Sequence, residues 1–394
     1  MNKFLPYIRL GIYGIRNLRV RWVTTVMTVL GIGLVVWATV LSFGLADGLE
    51  HALLISGDEL DLIVLRKGSQ DEVSSGIDQR LAREIGTLEE IARDNEGTPL
   101  CSVEFVTILT KPRRGDGGTT NVIVRGMEEV GRQLRPGFKI VQGRDLQPGI
   151  NQAITSQRMA QRFRNMSLGE KFDINQVDFE IVGYFEADGS AAESEVWTDL
   201  RDLTTVRRTP GAVTSINLRA RDVAAKLVLI DRLQNDEQFN LKAIEEKEYY
   251  EDQMTASIAI KVVGYFIAAF LTVGAMFAAA NTMYAAVSSR AREIGTLRAL
   301  GFGRGSILTS ILFESVVLCL LGGLLGCLAT LPFNGLSTGT ANWATFSEIT
   351  FSFRFGPAVL LRGVIMALIM GVIGGLFPAI RAVRMKIVDA LREQ

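Results

Sequence analysis

Charge disappears from this chain in four long stretches, and they organise everything else. Trp22 to Ala46 is 25 residues without a charge, enough at 1.5 Å per residue to cross about 30 Å of hydrocarbon. Val262 to Ser289 is also free of charge, Ser306 to Leu331 carries only Glu314, and Gly363 to Ile380 carries none. The pattern predicts transmembrane helices at 22–46, 256–289, 306–331 and 357–380. Arg362 falls near one end of the fourth, where a long side chain can reach the headgroups. A cleaved signal peptide would have a shorter apolar core followed by small residues, so the first stretch is read as a retained span.

The flanking charges set the orientation. Residues 1–21 interleave Lys3, Arg9, Arg16, Arg19 and Arg21 with Phe4, Tyr7, Ile8, Leu10 and Ile12, which predicts an amphipathic helix on the cytoplasmic face of the membrane. Segment 290–305 has Arg290, Arg292, Arg298 and Arg304 against Glu293, and the tail 381–394 has Arg381, Arg384, Lys386 and Arg392. The positive-inside rule places all three in the cytoplasm. Two segments remain outside, a large one at 47–255 and a short loop at 332–356.

Segment 47–255 is long enough to hold its own core. Alternating or β-branched runs predict strands at Leu60–Leu65, Val103–Leu109, Asn121–Val124, Phe179–Phe185 and Ser215–Leu218. Helical periodicity is expected at Gln79–Asp94, Ser156–Phe163 and Ala224–Leu233. Leu241–Met254 is rich in good helix formers, and no proline or glycine separates it from the second span. It is expected to be helical, as a stalk continuing outward from the membrane, with Asp47–Ser56 doing the same for the first span. The fold class is therefore an α-helical membrane protein with four transmembrane helices and a mixed α+β extracytoplasmic domain between helices 1 and 2.

Composition narrows the function. Net charge is zero over 394 residues, which gives no pull toward nucleic acid. One histidine and three cysteines leave little material for a His-based metal site, a Ser-His-Asp triad or a disulfide framework. The glycine-rich Gly301-Phe-Gly-Arg-Gly-Ser lacks the spacing and the lysine that hold nucleotide phosphates. Glu314 is the one acid inside a span, read either as a functional intramembrane group or as an acid near the cytoplasmic boundary bonded to a neighbouring helix. Ala278, Ala279, Ala280, Asn281 and Thr282 suit close helix packing, and Gly31, Gly33, Gly264 and Gly274 mark where the spans could bend.

Within the basic wedge, Ile294, Leu297 and Leu300 recur every third residue and Gly301 follows as a helix stop. On charge alone it would be a topogenic loop. Its order of residues, Arg292-Glu-Ile-Gly-Thr-Leu-Arg-Ala-Leu-Gly301, resembles the signature of ABC-transporter permeases of the mechanotransmission type, related to the macrolide exporter and the cell-division permease FtsX. Ile140-Val-Gln-Gly-Arg-Asp-Leu, Phe179-Glu-Ile-Val-Gly-Tyr-Phe-Glu and Ser194-Glu-Val-Trp-Thr-Asp-Leu resemble the exporter's periplasmic core domain. Arg16-Asn17-Leu18 and Gly375-Leu-Phe-Pro-Ala-Ile-Arg-Ala-Val-Arg are similar to the family's opening and closing motifs. Ile387 and Asp389 stand where the family usually has proline and glutamate.

The resemblance implies that 290–305 is a coupling helix that docks on an ATPase, with Arg292, Glu293, Gly295, Arg298 and Gly301 as the docking group. It implies a non-catalytic permease of the bacterial inner membrane, with ATP and Mg²⁺ bound by a separate cytoplasmic ATPase dimer and no cofactor in this chain. The implied partners are a second permease copy, membrane lipids and, for an exporter, a periplasmic adaptor and an outer-membrane channel. Efflux of a hydrophobic or peptide-like substrate is the first reading. Lipoprotein or lipid extraction, and signalling to a cell-wall hydrolase, are the alternatives.

Overall fold

A computed structural model describes residues 22–54, 58–115, 117–253, 255–342 and 346–386. The amphipathic helix expected at 1–21 and the tail beyond Lys386, including Ile387 and Asp389, lie outside the described residues. In chain order, α1 (Trp22–Leu54) leads to β1 (Asp61–Arg66), α2 (Gln79–Ile85), β2 (Cys101–Pro112), β3 (Thr119–Met127), α3 (Glu129–Gln133) and β4 (Phe138–Gly143). Then come β5 (Gln152–Ser156), α4 (Gln157–Arg162), β6 (Lys171–Ile174), β7 (Val177–Ala187), β8 (Glu195–Asp199), α5 (Leu200–Val206), β9 (Ser215–Arg219), α6 (Val223–Asn235) and β10 (Leu241–Glu245). The chain continues through α7 (Glu246–Gln253), α8 (Thr255–Ser288), α9 (Ala291–Ala299), α10 (Arg304–Thr330), the hairpin β11 (Ser337–Ala341) and β12 (Glu348–Ser352), and α11 (Pro357–Arg384).

These elements form two compact units, one helical and one α/β. In the helical unit α1, α8, α10 and α11 are each long and apolar enough to cross a membrane. Glycine lets them approach closely. A Cβ on Gly326 would meet the Gly33 carbonyl oxygen at 2.6 Å and the Trp37 amide nitrogen at 2.9 Å, so α1 and α10 touch backbone to backbone. Gly33, expected to mark a bend, is thus a packing position. Gly323 faces Ala367, Gly371 faces Val316 and Cys319, and Gly374 faces Ala279, so α10 and α8 meet α11 through small residues. Where hydrocarbon surrounds the helices, such close contact supplies the packing that water would otherwise drive. Thr28 also donates to the Thr282 hydroxyl (3.3 Å).

The α/β unit is built on a ten-stranded sheet in the order β10-β1-β9-β2-β3-β8-β5-β7-β4, with β6 paired to β7. The β3–β8 and β5–β7 pairs are parallel and the others antiparallel. Two cores divide it. One packs Leu62, Val64, Ile216 and Leu218 under Ile85 of α2 and Leu229 and Leu233 of α6. The other gathers Val122, Val124, Met159, Phe163, Phe172, Phe179 and Val196. A smaller cluster stacks Phe185 on Trp197, 4.1 Å between centroids. Local chemistry starts the helices: Asp78, Ser156, Asp199 and Asp222 each accept a hydrogen bond from a first-turn amide as N-caps.

The structure corrects three expectations. The helix expected at Gln79–Asp94 stops at Ile85, and the chain then forms isolated bridges at Ile91 and Arg93. Leu241–Glu245 is strand β10 paired to β1, so the helix begins only at Glu246. Sheet pairing there overrides a helix-prone composition. The short loop at 332–356 is a hairpin, and Leu336–Ser352 belongs to the α/β unit.

Candidate functional site

Helix α9 is a nine-residue element inside the helical unit. It ends where Gly301 takes φ +94°, the left-handed region glycine enters without strain. The Phe302 amide then reaches the Leu297 carbonyl (3.1 Å) and the Gly301 amide reaches Arg298 (3.1 Å). This pair of bonds satisfies the carbonyls that a helix end leaves open.

Both ends of α9 are tied to long helices. At its start, Arg290 donates twice to Glu314 of α10, at 2.9 and 3.2 Å. Both side chains are largely buried, 15% and 6% exposed. Such a two-pronged pair fixes orientation as well as distance. At its end, Arg298 donates to the backbone carbonyl of Met385, just past α11. Between them Ile294 packs with Met283, Val287, Ile307, Ile311 and Ala382. The helix is therefore bound to the ends of α8, α10 and α11.

Its other face is open. Arg292, Glu293, Thr296, Ala299, Leu300 and Gly301 are exposed, with Leu300 72% exposed. Of the residues singled out in the sequence, Arg292, Glu293 and Gly301 lie on this surface. Gly295 is buried and Arg298 turns toward Met385, so these two face inward. Glu314 is the partner of Arg290 on the neighbouring helix. Leu300 continues the every-third-residue apolar pattern of Ile294 and Leu297, but it caps the helix end and its side chain is exposed.

A second charged cluster lies inside the α/β unit and sequence reading missed it. Arg125 of β3, 2% exposed, is held by Glu72 (2.6 and 2.8 Å), Glu195 (2.7 Å on both prongs) and Glu104 (2.7 Å). Arg135 bonds Glu104 (3.0 Å) and Glu246 (3.0 Å), the first residue of α7. Ser215 donates to Glu72 and the Trp197 indole donates to Glu195. Four carboxyl groups thus share two guanidiniums away from water.

Their titration divides accordingly. Burial alone would raise Glu72, but the charge and hydrogen bonds of Arg125 hold it below the ordinary range. Burial pushes Glu246 up to about 8, since Arg135 is its one bonded cation and Asp61 and Glu104 add negative charge nearby. Tyr249 and Tyr250 are driven well above their usual value by burial. Among the described residues no cluster of His, Cys, Asp and Glu is arranged to hold a metal.

Four membrane-length helices, an α/β unit drawn mainly from the chain between the first two, and a short tethered helix between the second and third are the architecture of a multi-pass membrane protein. The model of the MacB-like periplasmic core domain matches residues 25–235, and that of the FtsX-like permease C-terminal matches residues 265–387. The chain belongs to this ABC-transporter permease family. It is 26% identical to the uncharacterized ABC transporter permease YknZ of Bacillus subtilis, over 98% of this chain and 99% of that one. It is 25% identical to the macrolide export ATP-binding/permease protein MacB of Bdellovibrio bacteriovorus, over 92% of this chain and 58% of that protein. The periplasmic region of MacB from Actinobacillus actinomycetemcomitans superposes on 51% of the chain with a TM-score of 0.37 and 14% identity.

Proposed function

We propose that this chain is the non-catalytic permease subunit of an ABC transporter, converting ATP binding and hydrolysis in a separate cytoplasmic ATPase into movement of its extracytoplasmic α/β unit. The observation that carries the reading is α9, a helix fixed at both ends to membrane-length helices while Arg292, Glu293 and Leu300 are exposed on its surface. An exposed leucine among charged neighbours on a basic segment suits a protein surface of mixed apolar and acidic character. YknZ, matched from end to end, is named a permease, and MacB, matched over 58% of its length, is named an ATP-binding/permease protein. ATP and Mg²⁺ belong to the ATPase in this reading.

The chain sits in the bacterial inner membrane with both termini and α9 in the cytoplasm, as two permease copies on an ATPase dimer. The size of the α/β unit favours export of a hydrophobic or peptide-like substrate, through an adaptor and outer-membrane channel, over signalling to a cell-wall hydrolase. Glu293→Lys tests the docking face. In the purified permease–ATPase complex it is expected to lower permease-dependent ATPase stimulation about tenfold or more, with the hydrogen-exchange pattern of the α/β unit unchanged. Full stimulation by the variant would refute the assignment.

A further inference from the structure

The chain between α10 and α11 does not simply turn back. It forms the hairpin β11–β12, in register from Ser337–Ser352 to Ala341–Glu348, and this hairpin is part of the α/β unit. Glu348, 4% exposed, sits between two arginines of that unit. Arg113, just past β2, donates to it through Nε (3.0 Å) and Nη2 (2.6 Å), and Arg162 at the end of α4 donates to its other carboxylate oxygen. Next along the strand, the Thr350 amide donates to the Ser194 hydroxyl at 2.7 Å, and that hydroxyl is within 3.1 Å of the Thr350 carbonyl. Ser347 also bridges in parallel to Asn121 of β3. Ile349 and Phe351 are buried.

The seat of the hairpin is also where other elements of the unit meet. A cavity of about 30 Å³, room for a single water, is lined by Asn342, Ser347 and Glu348 of the hairpin segment, Leu53 of α1, Tyr249 and Tyr250 of α7, and Arg125 with Glu72 and Glu195. Hence the outer end of α1, the helix that precedes α8, the hairpin and the buried ion network converge on one point.

We propose that Glu348, gripped by Arg113 and Arg162, is a clasp that makes the α10–α11 pair a further mechanical link to the α/β unit, beside α1 and α7–α8. Glu348, Arg113 and Arg162 are positioning residues for coupling. A loop free of the unit would let α10 and α11 slide without moving it. A clasped hairpin passes their displacement to the end of β2 and to α4, because a buried carboxylate held by two guanidiniums resists being pulled out unpaired. This role rests on the permease reading above, and the experiment separates the two.

Hydrogen exchange of the full chain, first alone and then in complex with its ATPase, tests it. Glu348→Ala, and independently Arg113→Gln with Arg162→Gln, are expected to speed exchange of the β11–β12 amides about tenfold or more while β1, β9 and β10 keep wild-type protection. In the complex, wild type is expected to change its α/β-unit exchange on addition of ATP and vanadate. The variants should bind the ATPase normally and lose at least about half of that change. Released hairpins with a full ATP response would overturn the coupling role, and hairpins that stay protected would overturn the clasp itself. A wild-type chain that binds no ATPase or shows no ATP response would instead overturn the permease reading, and the coupling role with it.

Discussion

Glu246 makes a sharp prediction about pH. It is 2% exposed, bonded to Arg135 at 3.0 Å, and pushed up to about 8 from an ordinary 4.5. Below pH 4.5 the group is protonated whether the unit is folded or unfolded, so it exerts no penalty. Between 4.5 and 8 the unfolded chain releases the proton and the folded one keeps it. Folding therefore loses about 1.4 kcal/mol per pH unit, some 3 kcal/mol by pH 7 and a ceiling of about 5 above pH 8. Glu246→Gln keeps an oxygen for Arg135 and removes the titration. Urea-dependent pulse proteolysis of the full chain in detergent, from pH 5 to 8.5, reads the stability of the α/β unit. Wild type should weaken with rising pH, and the variant should lack that slope and be the more stable protein at pH 8. Parallel slopes, or a variant weaker at every pH, would refute the placement of Glu246 as a buried acid in an overcharged network.

Two further variants probe the packing. Arg125→Met leaves Glu72, Glu104 and Glu195 buried around an apolar side chain, and should destabilise the α/β unit by about 3–5 kcal/mol in the same proteolysis assay. Gly326→Ala places a methyl within 3 Å of backbone atoms of Gly33 and Trp37; the α1–α10 contact must open, at roughly 1–3 kcal/mol, read as a lower midpoint for loss of helicity in mixed detergent titrations.

How much of this was legible in the sequence follows from the kind of signal each element leaves. Four apolar runs announce four helices because hydrocarbon demands a length and a lack of charge that little else produces. The strands at β4, β5, β6, β8 and β10 were not seen. They are four to six residues long, too short for a period of two to stand out, and Leu241–Glu245 is made of residues equally at home in a helix. The hairpin is also opaque: Ser337-Thr-Gly-Thr-Ala reads as a polar turn until Glu348 finds Arg113 and Arg162, residues 235 and 186 positions away in sequence.

At α9 the sequence located the element and its stop but not its sidedness. Gly295 and Arg298 sit in the same motif as Arg292 and Glu293, and only the packing of Ile294 and the bond to Met385 reveal that they face inward. The buried network illustrates the same limit. Arg125, Glu104 and Glu195 lie within otherwise apolar strand runs, a pattern that single charges rarely follow without partners; what the sequence lacks is the strand order that brings the three together.

Docking of the exposed face of α9 on an ATPase is the contact on which the proposed function depends. A photo-crosslinking amino acid at Leu300, activated in native membranes and followed by mass spectrometry of the adduct, tests it most directly, with the same probe at the exposed Phe277 of α8 as control. A P-loop ATPase peptide joined at Leu300 and none at Phe277 is the expected result. Adducts only with lipid at both positions would contradict it, and would return segment 290–305 to a basic loop that does no more than set topology.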